Sequence, residues 1–133
     1  MRIICDTHVP IFFQDQPGRM TDRARKTFEQ GMSDKRLAIA DISLWEIAML
    51  FARGRLSLKS VKTADSYIRD LIDGYGLEVL PISPEIAIAS QSDRFNHGDP
   101  ADRLIAATAM IERAPLITAD ERLRSVVGLR TVW

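Results

Sequence analysis

The stretch HGDPADRLIAATA (97–109) sets two carboxylates, Asp99 and Asp102, at the mouth of a helix whose other residues are almost all small or apolar. Residues three apart share a helix face, with Cβ atoms ~5–6 Å apart. Other acids stand at comparable junctions. Asp6 ends the apolar run RIIC, Glu46 falls in the first turn of the helix after LAIADIS, and Asp120 closes PLITAD. In open α/β folds, ligands bind where strands end at their carboxyl side. Carboxylates that converge there repel one another, and some stay protonated unless a cation sits between them. An all-oxygen pocket is what Mg²⁺ or Mn²⁺ takes, with water and substrate phosphate completing the shell. Such an ion activates water for attack on a phosphodiester and neutralises the leaving oxygen. The chemistry indicated is metal-dependent phosphodiester hydrolysis.

Each acid also has a structural role open to it. Ser43-Leu-Trp-Glu46 has the form of a capping box, in which serine and glutamate satisfy the free amides of a helix start. Asp99 before Pro100 reads as an N-cap with proline at the first helical position, and Asp102 then sits at the third. Asp6 and Asp120 fit as caps of the helices that follow them. Acids at helix starts gain roughly 0.3–1 kcal/mol from the macrodipole. Capping explains any one of these residues, but not the arrival of acids from separate elements at matching places.

Strands and helices alternate from end to end. Apolar runs at 2–5, 37–43, 77–83, 115–120 and 129–133 read as strands. Between them, helical spacing appears over ARKTFEQGM, with Thr21 or Asp22 as cap, over SLWEIAMLFARG, over 60–73, after Ser83-Pro84-Glu85, over RLIAATA and over ERLRSV. This order predicts an α/β fold, a three-layer α/β/α sandwich with a parallel sheet. Ala106, Ala107 and Ala109 allow their helix to lie close on that sheet. At 133 residues, with no repeat or linker, residues 1–133 are expected to form one domain.

Composition narrows the function classes. Eighteen Lys plus Arg balance eighteen Asp plus Glu, so no basic excess supports bulk nucleic-acid binding. Local cations remain: Arg53, Arg55 and Lys59 form a short basic run, read as a solvated face or as contacts to RNA phosphate. Arg103 pairs with Asp99 or reaches substrate phosphate. The single cysteine, Cys5, excludes an internal disulfide, disfavours a cysteine zinc site and reads as core. His8 and His97 have no partner at zinc-ligand spacing, and His8 reads as a polar strand end. Trp45 and Phe51 read as core or subunit contact. Neither a Ser/His/Asp nor a Cys/His set is apparent, and no glycine-rich phosphate loop. With no secretory signal and no run of ~18 apolar residues, the expectation is a cytoplasmic protein without a membrane partner.

The chain resembles the PIN-domain ribonucleases and, within them, the VapC-type toxins of bacterial toxin–antitoxin pairs. The resemblance lies in IICDTH (3–8), ISLWEIAMLFARGRL (42–56), LPISPEIA (80–87), HGDPADRLIAATAM (97–110), PLITADERL (115–123) and TVW (131–133), in the family's order. The weakest match is 12–36, and Pro10 and Phe12-Phe13 stand where close relatives have other aliphatic residues and a tryptophan. The resemblance implies about five parallel strands between helices and an acidic pocket for Mg²⁺ or Mn²⁺. It carries the family's acidic residues onto Asp6, Glu46, Asp102 and Asp120. Asp99, in the DPxDR variant of the motif, would assist or cap, with Ser43 and Thr118 as supporting polar residues. It further implies an endoribonuclease toxin, a homodimer, and a cognate antitoxin that blocks the pocket. The rival readings are another metal-dependent phosphohydrolase, and a PIN-like module that holds RNA or protein without cutting.

Overall fold

The computed structural model describes residues 1–56, 62–95 and 98–133. Five short strands, β1 (Ile3–Cys5), β2 (Leu37–Ala40), β3 (Glu78–Leu80), β4 (Leu116–Ile117) and β5 (Thr131–Val132), form one sheet. Its order is β3-β2-β1-β4-β5, and every pairing is parallel. Each strand is shorter than the apolar run that announced it.

Alternation along the strands builds two apolar layers, because successive side chains point to opposite faces. Ile4, Ala38, Ala40 and Leu116 face one core with Ile105, Ala106, Ala107 and Ala109. Those residues belong to α6 (Pro100–Ile111), which lies beside α5 (Pro84–Ala89). Ile3, Cys5, Leu37, Ile39 and Ile117 face the other core, with Phe12 and Phe28. These come from α1 (His8–Asp15) and α2 (Asp22–Ser33). The expected three-layer sandwich is therefore present. Cys5 is fully buried, as expected, and burial raises its thiol pKa.

A third cluster joins Ile11 of α1, Ile47 of α3 (Ile42–Ala52) and Tyr67 and Leu71 of α4 (Ala64–Tyr75). Tyr67 is fully buried, and its hydroxyl donates to Asp15 Oδ2 at 2.7 Å. Phe51 packs against this cluster, but Trp45 does not join a core and is 58 % exposed. Gly31 lets α2 approach β2. A Cβ there would lie 2.6 Å from Leu37 Cδ2.

Cap chemistry sets most helix starts. Thr21, Thr63, Ser83 and Asp99 each accept a bond from a backbone amide two or three residues on. Asp120 does the same for α7 (Glu121–Arg124). Gly76, at φ +61°, ends α4 in the left-handed conformation. Among the described residues no helix is long and apolar enough to cross a membrane.

Candidate active site

The strand order reverses direction between β1 and β4, since the chain moves from β1 to β2 and β3 on one side and to β4 and β5 on the other. Beyond the carboxyl ends of these two strands a crevice opens, as doubly wound sheets require. Asp6 follows β1 directly, and Asp120 lies three residues beyond β4. The crevice is a hollow of about 280 Å³ whose wall contains Asp6, Glu46, Asp99, Asp102 and Asp120, with His8, Phe12 and Arg19. Five carboxylates from four places in the fold thus face one space, Asp99 and Asp102 sharing the start of α6.

Threonine and serine hydroxyls hold the innermost acids. Asp6, nearly buried, accepts from the Thr7 amide at 2.8 Å and from Thr118 Oγ1 at 2.7 Å. Thr118 Oγ1 in turn accepts from the Asp120 amide at 3.1 Å, tying the ends of β1 and β4 together. Thr7 Oγ1 donates to Glu46 Oε1 at 2.5 Å and lies 2.9 Å from Ser43 Oγ. With the one Thr7 proton spent on Glu46, Ser43 is the donor in that second bond. Thr7, Ser43 and Thr118 are all fully buried.

These contacts overturn the capping-box reading of Ser43 and Glu46. α3 begins at Ile42 after Asp41, so Ser43 lies inside the helix and Glu46 in its second turn, both bonded to Thr7 rather than to the helix amides. Nor does Asp6 cap α1, whose N-cap is Thr7 and whose start has no side-chain cap. For Asp99 and Asp120 the capping reading holds, through the amides of Ala101 and Arg122, yet both acids also line the hollow. Capping and convergence are not exclusive.

Electrostatics follow from the crowding. Burial is the largest influence on Asp102 and opposes its ionisation; Asp6, Asp99, Asp120 and Glu46 then add like-charge repulsion, so its pKa rises to about 8. Burial also raises Asp6 and Glu46, against the hydrogen bonds from Thr118 and Thr7 that pull them down. Among the described residues neither Asp6 nor Glu46 has a cation as hydrogen-bond partner. Among the described residues no three His, Cys, Asp or Glu side chains close on one point as a finished shell. Mg²⁺ does not need one, since it is typically held by one or two carboxylates and keeps several waters. The donor set, carboxylate and hydroxyl oxygen, fits such an ion.

The cations divide. Arg103 turns from the acids: its Nε donates to the Ser90 carbonyl at 2.9 Å and its Nη2 to that of Ser92 at 3.4 Å. It lines a separate cleft of about 420 Å³ between α5 and α6 that contains none of the five acids. Arg53 caps the C-terminus of α3 and is exposed, away from the hollow's wall, whereas Arg55 lines a second hollow beside α1. Lys59 and His97 lie outside the described residues. Two residues escaped the sequence reading: Thr7, signalled only by its place between Asp6 and His8, and Arg19, hidden in the Pro-Gly loop.

The crevice at the β1 and β4 ends marks a doubly wound α/β protein with an acid-lined site, and sequence comparison places it further: a PIN-domain family model matches residues 3–129, so the chain belongs to the PIN-domain family. It is similar to Ribonuclease VapC22 of Mycobacterium tuberculosis, 33 % identical over 134 residues that cover 98 % of each chain. Solved structures share the fold. VapBC2 from Rickettsia felis, bound to a DNA fragment from its promoter, matches with a TM-score of 0.74 and 18 % identity, over 98 % of this chain and 97 % of that one. DNA-bound VapBC from Salmonella typhimurium gives a TM-score of 0.67 and 21 % identity, over 98 % and 96 %.

Proposed function

We propose that the chain is a divalent-metal-dependent endoribonuclease, the toxin of a VapBC-type pair. The observation that carries this reading is the hollow itself, where burial and four neighbouring acids oppose the ionisation of Asp102. Asp6, Glu46, Asp102 and Asp120 would hold Mg²⁺ or Mn²⁺, directly or through water, with Asp99 adding negative field at the rim. When bound, the ion supplies a water made nucleophilic at neutral pH and charge neutralisation at the phosphate.

The chain's own residues do the rest. Thr118 and Thr7 fix the carboxylate planes of Asp6 and Glu46, so these groups need little reorganisation when a cation arrives. Asp102 carries a proton near neutrality and must release it, so its carboxyl couples ion binding to pH. Family likeness to a ribonuclease supports RNA as substrate, and the antitoxin complexes among the structural relatives support a cognate antitoxin that covers the hollow. Exposed Trp45 is where a homodimer contact would fall.

The test is cleavage of labelled RNA with Mn²⁺ or Mg²⁺ by the wild-type chain, Asp6→Asn and Asp102→Asn. The expected result is cutting by the wild type alone, lost on chelation. Undiminished cutting by both variants refutes the site. Hydrolysis of a small phosphomonoester in place of RNA points to a phosphatase, and RNA binding without cutting to a holding module.

A further inference from the structure

Two hollows meet along α1. Beside the acidic one lies a second, of about 230 Å³, whose wall includes Ile11, Gln16, Arg55 and a single acid, Asp15, which accepts the Tyr67 hydroxyl. His8, Phe12 and Arg19 line both, so the two hollows adjoin across these three side chains. Arg19 stands at this divide, on the 3₁₀ turn Pro17–Arg19. Its guanidinium carbon lies 4.3 Å from the centre of the Phe12 ring, and Nη1 donates to Gln16 Oε1 at 3.4 Å. Neither contact is to a carboxylate, although five acids line the neighbouring hollow.

That arrangement asks for an anion. A guanidinium seated on an aromatic face keeps its planar fork oriented while most of its donors stay available, and that fork matches a phosphate. An RNA strand approaching five carboxylates is repelled except where a metal ion neutralises it. The phosphates on either side of the cut need countercharge from the protein, and a chain of zero formal net charge offers no general attraction. Among the described residues, Arg19 and Arg55 are the two arginines of the second hollow.

We propose that Arg19, held on Phe12, binds the RNA phosphate that flanks the scissile one and directs the strand across α1 into the second hollow, where Arg55 meets the next phosphate. This inference rests on the ribonuclease reading and assigns that site its exit path. Arg19 is a substrate-contact residue under it, with Phe12 and Gln16 positioning the fork.

The test compares wild type, Arg19→Gln and Arg19→Lys with a fluorescent single-stranded RNA. Steady-state cleavage in Mn²⁺ gives KM and kcat. Binding to the Asp102→Asn chain, with and without each Arg19 substitution, gives the slope of log affinity against log salt. Arg19→Gln should raise KM roughly tenfold with kcat within about twofold, as expected for a lost charge-assisted contact. It should also flatten the salt slope by about 0.7, the value for one phosphate of a single strand. Arg19→Lys should restore the slope and most of KM, which a role in packing on Phe12 alone would not. Unchanged KM and slope in Arg19→Gln, with the wild type active, overturn the Arg19 contact and leave the ribonuclease reading standing. A wild-type chain that neither cuts nor binds RNA overturns both.

Discussion

Replacing Asp102 by asparagine should disable the hollow and yet make the metal-free protein more stable. The folded Asp102 carboxyl has its pKa raised from 3.8 to about 8, chiefly by burial and then by four neighbouring acids. A group raised on folding contributes stability that is fully present below its unfolded pKa and is lost as pH climbs to the folded one. Between pH 4 and pH 8 the wild type therefore loses stability with rising pH, by at most about 1.4 kcal/mol per pH unit. The unscreened ceiling over that window is between about 5 and 6 kcal/mol. Asp102 is only half-buried and borders open solvent, so a discounted loss of about 1–3 kcal/mol is the working figure. Asparagine keeps the shape and does not titrate. Thermal unfolding in EDTA, followed by circular dichroism from pH 5 to 9, should show the two chains nearly together at pH 5. By pH 9 the variant should melt roughly 4–12 °C higher. Excess Mn²⁺ should reverse the order, because the ion stabilises the chain that holds it. A variant that melts lower than wild type at pH 9 in EDTA, or a gap that does not widen with pH, would refute the electrostatic account of the hollow.

Mn²⁺ affinity should rise up to tenfold per pH unit below about pH 8, because Asp102 gives up its proton on binding; calorimetry in buffers of different ionisation enthalpy counts that proton. Thr118→Val strips Asp6 of a buried hydrogen bond and should cost about 1–3 kcal/mol in urea unfolding, with the Asp6 pKa pushed higher still. Gly31→Ala drives a methyl into Leu37 at the tightest approach of α2 to the sheet, and should cost about 1–3 kcal/mol by the same assay while leaving RNA cleavage intact.

The fold was legible because its determinants are local. Apolar runs ended at turn residues, caps stood where helices begin, and alternation within three- and four-residue strands already sorted Ile4 from Ile3 and Cys5. The acids at strand ends were legible for the same reason: an Asp after a buried run has one place to go. What was not legible depends on partners distant in sequence. Ser43 and Glu46 obey the capping-box spacing, but α3 starts early enough to put both beyond the cap, and Thr7, 36 and 39 residues away, claims them. Nor does the spacing around Arg103 announce the carbonyls of Ser90 and Ser92 that it meets. Trp45 has the spacing of a core residue and the exposure of a surface one, since α3 turns that side outward.

The burial of Cys5 gives the protein a clock. The thiol sits on the central strand, sealed from solvent, and its pKa is raised well above the ordinary thiol range. No second cysteine competes with it. Alkylating reagents attack the thiolate of an accessible sulfur, so the intact sheet is inert to them, and modification can proceed only in the moments when β1 separates from its neighbours. The rate at which one sulfur is consumed thus reads the opening of the strand that ends in Asp6. A ligand that fastens the β1 and β4 ends together slows that rate in proportion to how tightly it binds, with no substrate needed.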